Sequence, residues 1–310
     1  MFIHPNLQGA RPLMVVGGPR CGTRFVASAL NRHPEILVQG EIPSPAMDNA
    51  VRFLSETGDY FASQPQWSAG WERSRRDLLY AIWASMIKRR TRVTDATITW
   101  FGHKTPRHDQ YWEFYRDFFS DLGPKYVFCM RNFADHYLSL SSMQEGQSID
   151  RVAGEYRASV SRYAKMKAAL GENVSLFVLD DLHDGGIDYI RERLFDRLGI
   201  EVDDRTLSRI DISRKANSTE GKGRERRREL TADERGFLEE NPDLMEALQA
   251  LRAARPIGPG LADEGDRLHL ASKVQKSFKG LAQSLRRTGL WGGALSSALA
   301  NFKFQSRSRD

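Results

Sequence analysis

The chain has 310 residues, 40% of them hydrophobic and 28% charged, which is enough to bury one large core with or without an appendage. Its formal charge of +6 is unevenly placed: Leu268 to Arg309 holds eight Lys and Arg and no Asp or Glu, so the remainder nets about −2. No run of about 18 apolar residues exists to form a membrane-spanning helix. Two cysteines, Cys21 and Cys129, are too few for a disulfide framework and fit a reducing compartment, and no His-rich or Cys-rich spacing points to a metal.

The N-terminal stretch MFIHPNLQGARP has no basic segment followed by an apolar one, so no secretory signal is expected. Leu13 to Val16 is a short apolar run, followed by Gly17, Gly18, Pro19 and Gly22 and then by an apolar-periodic segment from Phe25 to Leu30. That order predicts strand, loop and helix, a turn that aims backbone N–H groups and a helix N-terminus at an anion such as phosphate or sulfate. The spacing Gly17-x-x-x-x-Gly22 matches a P-loop, but Thr23 and Arg24 stand where Lys and then Ser or Thr should follow, which argues against Mg-nucleotide hydrolysis.

Further along, Pro43 to Thr97 carries Trp67, Trp71, Tyr80 and Trp83, with a helical pattern in its second half. These aromatics read either as core or as the lining of a pocket for an apolar or sugar group. TWFGHKTP, Thr99 to Pro106, sets Lys104 before a turn, where a lone lysine is ordinarily a solvated surface charge, and Tyr111 to Phe119 reads as an aromatic-rich helix. KYVFCMRNFADHYLSLSSM then predicts a buried strand from Tyr126 to Met130, Arg131 at its end and a helix carrying Ser139. A guanidinium can grip a phosphate with two parallel hydrogen bonds and a hydroxyl can add a third; on their own, Arg131 and Ser139 fit a surface ion pair and a solvated hydroxyl equally well.

A helix from Ile149 to Leu170 and a further buried strand from Val174 to Leu179 follow, then an acidic turn in which Asp180 and Asp181 read as structural. Strands alternating with helices imply a parallel sheet with ligands at the carboxyl ends of its strands. Ser213 to Glu229 is a polar, charged loop, Thr231 to Glu234 offers a capping box, and Asn241 with Pro242 begins a helix ending near Pro256. The expected division is therefore a domain over residues 1–256 and a basic C-terminal extension over 257–310. In that extension Val274, Phe278, Leu281 and Leu285 recur at helical spacing among Lys273, Lys276, Lys279, Arg286 and Arg287. Such a basic amphipathic helix packs on the main domain or a partner subunit, or lies on an anionic membrane surface; nucleic-acid binding is not expected.

Taken together, PRCGTR with LNRHPEI and the following Gly40-Glu41, the Arg131 to Ser139 spacing, and the strand ending in Lys104-x-Pro resemble sulfotransferases that use 3′-phosphoadenosine 5′-phosphosulfate (PAPS). The branch with tyrosylprotein and bacterial carbohydrate or lipid enzymes is the most similar. The resemblance implies an α/β fold with a P-loop-like parallel sheet flanked by helices, and adenosine 3′,5′-bisphosphate (PAP) as product. It implies donor contacts from Arg20, Cys21, Gly22, Thr23 and Arg24 at the sulfated end, from Arg131 and Ser139 at the 3′-phosphate, and from Lys222 and Arg224 in the polar loop, where a solvated charge run is the alternative.

In-line sulfuryl transfer leaves little covalent work for a protein, so fixed cations and N–H donors carry the stabilisation. Arg20 and Lys104 are expected at the sulfate and bridging oxygen, and Glu41 is expected to take the proton of an acceptor hydroxyl, against the plain reading of an exposed loop carboxylate. His108 and His136 are rival bases. The sequence departs from the pattern at Cys21, where Ser is usual, at Arg24, where Thr or Ser is usual, and at Asn132, where Asp is usual. The expected acceptor is a carbohydrate, glycolipid or small metabolite, and the expected location is cytoplasmic or peripheral to a membrane. A P-loop-related nucleotide kinase and a non-catalytic membrane-associated protein with a relict donor site are the alternatives.

Overall fold

A computed structural model describes residues 7, 9–85, 97–143, 146–212, 227 and 229–253. Lys222, Arg224 and the predicted basic helix of the C-terminal extension lie outside the described residues. Among the described residues no helix is long and apolar enough to cross a membrane.

Five strands form one sheet: β1 (Arg11–Gly17), β2 (Ile36–Gln39), β3 (Trp100–His103), β4 (Lys125–Met130) and β5 (Val174–Val178). Their spatial order is β2-β3-β1-β4-β5, and every pairing is parallel. Three of these strands are legible as apolar runs, and β3 through the resemblance at its Lys-x-Pro end. β2 is an edge strand of four residues, too short for its own pattern to declare it.

Both faces of the sheet are covered, which is why its strands are nearly continuous in apolar residues. Alternation sends Met14 and Val16 of β1, and Tyr126, Phe128 and Met130 of β4, into one core layer. That layer is filled by α2 (Ser44–Ala62), α3 (Pro65–Ser85), α4 (Trp112–Phe118), α5 (Phe133–Ser141), α6 (Ile149–Leu170) and α8 (Asp243–Arg252). Leu13, Val15, Val127 and Cys129 face the opposite layer, under α1 (Thr23–Leu30) and α7 (Leu182–Ile190). Of the aromatics in the intervening segment, Tyr80 and Trp83 are core, buried against Phe101 and Phe119.

The sheet order brings the site together. From β1 the chain moves to one side, to β2 and β3, and then crosses to the other, to β4 and β5. A crevice therefore opens at the carboxyl ends of the central strands, where connections leave in opposite directions. Register aligns those ends: Gly17 pairs with Cys129, Val15 bridges Lys104, Gln39 pairs with His103 and Met130 pairs with Val178.

Candidate active site

The loop after β1 turns on three left-handed residues, Gly17 (φ 112°), Arg20 (φ 70°) and Gly22 (φ 89°). Glycine adopts this region without penalty, whereas an arginine there is strained. The strained backbone at Arg20 accompanies a side chain directed across the crevice, where Arg20 Nε donates to Ser139 Oγ on α5 at 3.0 Å. Helix α1 then begins at Gly22 with no side-chain cap and no acidic residue in its first turn. An uncapped first turn leaves backbone N–H groups and the positive end of the helix dipole available to an anion.

Cys21 and Thr23 are buried beneath this loop, and Arg24 is exposed on the first turn of α1. The Cys21 thiol lies 3.2 Å from His136 Nδ1, so its side chain is turned into the protein and away from the crevice. Burial pushes the thiol pKa up to about 12, and burial together with Arg131 and Arg107 pulls His136 down to about 4. The pair is a neutral floor under the loop. Gly18 is seated on it, because an added Cβ would approach Cys21 Sγ to 2.9 Å and His136 Cε1 to 3.1 Å.

Lys104 follows β3 directly, and its ammonium is bonded to the Glu41 carboxylate two residues beyond β2. The Lys104 side chain is 10% exposed and that of Glu41 is 61% exposed, so the cation is held in the protein while the carboxylate faces solvent. Thr105 fixes the juxtaposition: its hydroxyl accepts the Ile42 N–H at 3.1 Å and bonds His103 Nδ1 at 3.0 Å. His103 Nε2 in turn meets the Tyr115 hydroxyl at 3.1 Å. The Arg107 N–H donates to Gly17 O at 2.8 Å, joining the Lys104 segment to the start of the loop.

On the other side of the crevice Arg131 follows β4. Its side chain is 15% exposed, with Nε 3.5 Å from Asp180 Oδ1 and Nη2 3.7 Å from Asp135 Oδ1. Asn132 caps α5 by accepting the Asp135 N–H at 2.9 Å. The structure thus brings Arg20 to Ser139 and Lys104 to Glu41, with Arg131 at the neighbouring strand end. His108 is fully buried, neither ring nitrogen has a hydrogen-bond partner among the described residues, and burial lowers its pKa to about 3. Neither His108 nor His136 therefore offers an accessible imidazole, and this counts against both as rival bases.

Sequence reading missed the Cys21–His136 contact, the Arg107 bond to Gly17 and the bond of Asp180 to Arg131. Each spans tens of residues, and no local periodicity encodes it. Among the described residues no group of His, Cys, Asp or Glu could hold a metal ion.

A parallel α/β sheet with an uncapped helix N-terminus and three cationic side chains at its strand ends defines an anion-handling α/β protein. The chain belongs to the sulfotransferase family: the profile described as "Sulfotransferase family" matches residues 12–181, more than half its length. It is therefore a sulfotransferase enzyme. No curated protein matches the sequence. Among solved structures the chain is similar to sulfotransferase STF9 from Mycobacterium avium, at 13% identity and TM-score 0.47 over 82% of this chain and 80% of that one. It is similar to the sulfotransferase domain of the Synechococcus PCC 7002 olefin synthase, at 12% identity and TM-score 0.42 over 88% and 95%. The mouse sulfotransferase SULT7A1, complexed with PAP, shares 13% identity with TM-score 0.38 over 72% and 69%.

Proposed function

We propose that this sulfotransferase moves the sulfuryl group of PAPS to an acceptor hydroxyl on a carbohydrate, glycolipid or small metabolite, releasing PAP. The observation that carries the reading is the 3.0 Å bond from Arg20 to Ser139, because it joins the loop after β1 to the helix after β4. A donor with two oxyanions, one at each end of an adenosine, needs two such cationic sites side by side.

In this reading the first turn of α1, with the amides of Cys21, Gly22, Thr23 and Arg24, holds the sulfated end, and Arg131 with Ser139 holds the 3′-phosphate. Cys21 serves through its backbone alone, since its thiol is buried against His136. Lys104 and Arg20 neutralise charge that builds on the transferring group and the bridging oxygen. Glu41, exposed beside Lys104, accepts the proton of the incoming hydroxyl.

Calorimetric titration with PAP tests the donor, with saturable binding expected and the absence of heat overturning it. Incubating an extract of the source cells with radiolabelled donor, then separating lipid, polysaccharide and small molecules, tests the acceptor. Label is expected in one of these fractions and should be lost with Arg20→Ala; label appearing solely on protein would remove the proposed acceptor class.

A further inference from the structure

The carboxylate of Asp180, just past the end of β5, gathers the donors of the segment that follows β4. Its Oδ2 accepts the Asn132 backbone N–H at 2.6 Å, while Oδ1 accepts Asn132 Nδ2 at 2.9 Å and lies 3.5 Å from Arg131 Nε. Asn132 is also the N-cap of α5, the helix that presents Ser139. The Tyr156 hydroxyl, donating to Arg131 O at 3.1 Å, braces the same residue from α6. One acidic side chain thus touches both the guanidinium and the cap of the helix carrying the hydroxyl.

We propose that Asp180 is the positioning residue of the 3′-phosphate grip, an inference that rests on the donor reading given above. Held at Nε, the Arg131 guanidinium keeps a fixed plane and leaves its terminal nitrogens for a phosphate, so the ordering cost is met before the ligand arrives. Asp135 is the looser partner. It sits 3.7 Å from Nη2 with a more exposed side chain than Asp180, and it is the carboxylate a phosphate displaces. A turn-capping role alone would need the bonds to Asn132 and not the approach to Arg131.

The test is calorimetry on the full chain with two ligands, PAP and adenosine 5′-monophosphate, which lacks the 3′-phosphate. The wild type is expected to prefer PAP. Asp180→Asn is expected to weaken PAP about 10- to 100-fold and to leave the monophosphate unchanged. In an Arg131→Lys background the same change should add little, because the two residues act as a unit. Equal losses on both ligands, or no loss on either, overturn the proposal. Should the amide variant fail to fold, Asp180→Glu keeps the charge one methylene displaced and is expected to give a smaller loss confined to PAP; an equal change on both ligands overturns the proposal there too. A wild type that does not discriminate between the ligands removes the donor reading and this inference with it. A wild type that discriminates, beside a variant that discriminates equally well, removes only the role of Asp180.

Discussion

Lys104 and Glu41 neutralise one another: the ammonium held in the protein at the end of β3 is bonded to a carboxylate that faces solvent beyond β2. A largely buried cation left without an anion is costly, so this bond secures the lysine before any substrate arrives. In the proposed reaction an anionic donor against Lys104 would supply a second counter-ion and release Glu41 toward the acceptor.

Glu41→Gln is therefore expected to act in opposite directions on binding and turnover. Loss of a positioned base lowers kcat by about 10² to 10⁴. Loss of a competing anion strengthens PAP binding by about fivefold, the scale of a partly exposed ion pair. Steady-state kinetics with calorimetry checks both, and a variant with near wild-type kcat on its true acceptor would remove Glu41 as the base.

The buried histidines make a separate prediction about pH. His136 titrates near 4 and His108 near 3 in the folded protein, against about 6.5 when unfolded. Below about pH 6.5 the unfolded chain binds protons that the folded chain refuses, so stability is full above that pH and drains as pH falls toward 4. Each histidine should remove about 2 kcal/mol between pH 7 and 5. Urea denaturation of wild type and His136→Gln at both pH values measures this, and an equal loss in the two proteins would contradict it. The rate profile near pH 6.5 should show no limb from either residue, so its shape should survive His136→Gln.

The strand ends bearing Gly17 and Arg131 were legible because a fully buried parallel strand is an unbroken apolar run, and a glycine or cation marks where it stops, whereas Lys104 was legible only through the resemblance of its Lys-x-Pro strand end. The capping box at Thr231 and Glu234 was legible for a similar reason, being a contact between residues three apart. The short edge strand Ile36–Gln39 was not, nor were the partners of Asp180 and His136, which depend on which strands become neighbours. The same limit applies to Cys21: the sequence places it in the loop, and only packing reveals that its thiol turns inward onto His136.

That packing makes Cys21 chemically quiet. A thiol with a pKa near 12 holds almost no thiolate at pH 8, and Cys129 is buried and raised by desolvation as well. Neither should react with a maleimide in the native protein, and both should react after unfolding in urea. Cys21→Ser should retain PAP binding, since a cradle of backbone amides does not need the side chain. Rapid native labelling of Cys21 would show that the loop opens.

The approach of β1 to β4 at Gly17 is a close constraint on the site. Its φ of 112° disfavours any side chain, and an added Cβ would stand 2.1 Å from Cys129 O. That oxygen belongs to the neighbouring strand and cannot move without breaking the ladder that aligns the two halves of the crevice. Gly17→Ala is accordingly expected to cost more than about 3 kcal/mol, overpacking added to a disfavoured backbone, and to abolish PAP binding. Gly154, in the second turn of α6, has open space where a Cβ would go and an unremarkable φ. Gly154→Ala should therefore stabilise the protein by about 0.5 to 1 kcal/mol. Urea denaturation compares the two, and a Gly17→Ala protein within about 1 kcal/mol of wild type would show that β1 and β4 can separate at the point where the loop begins.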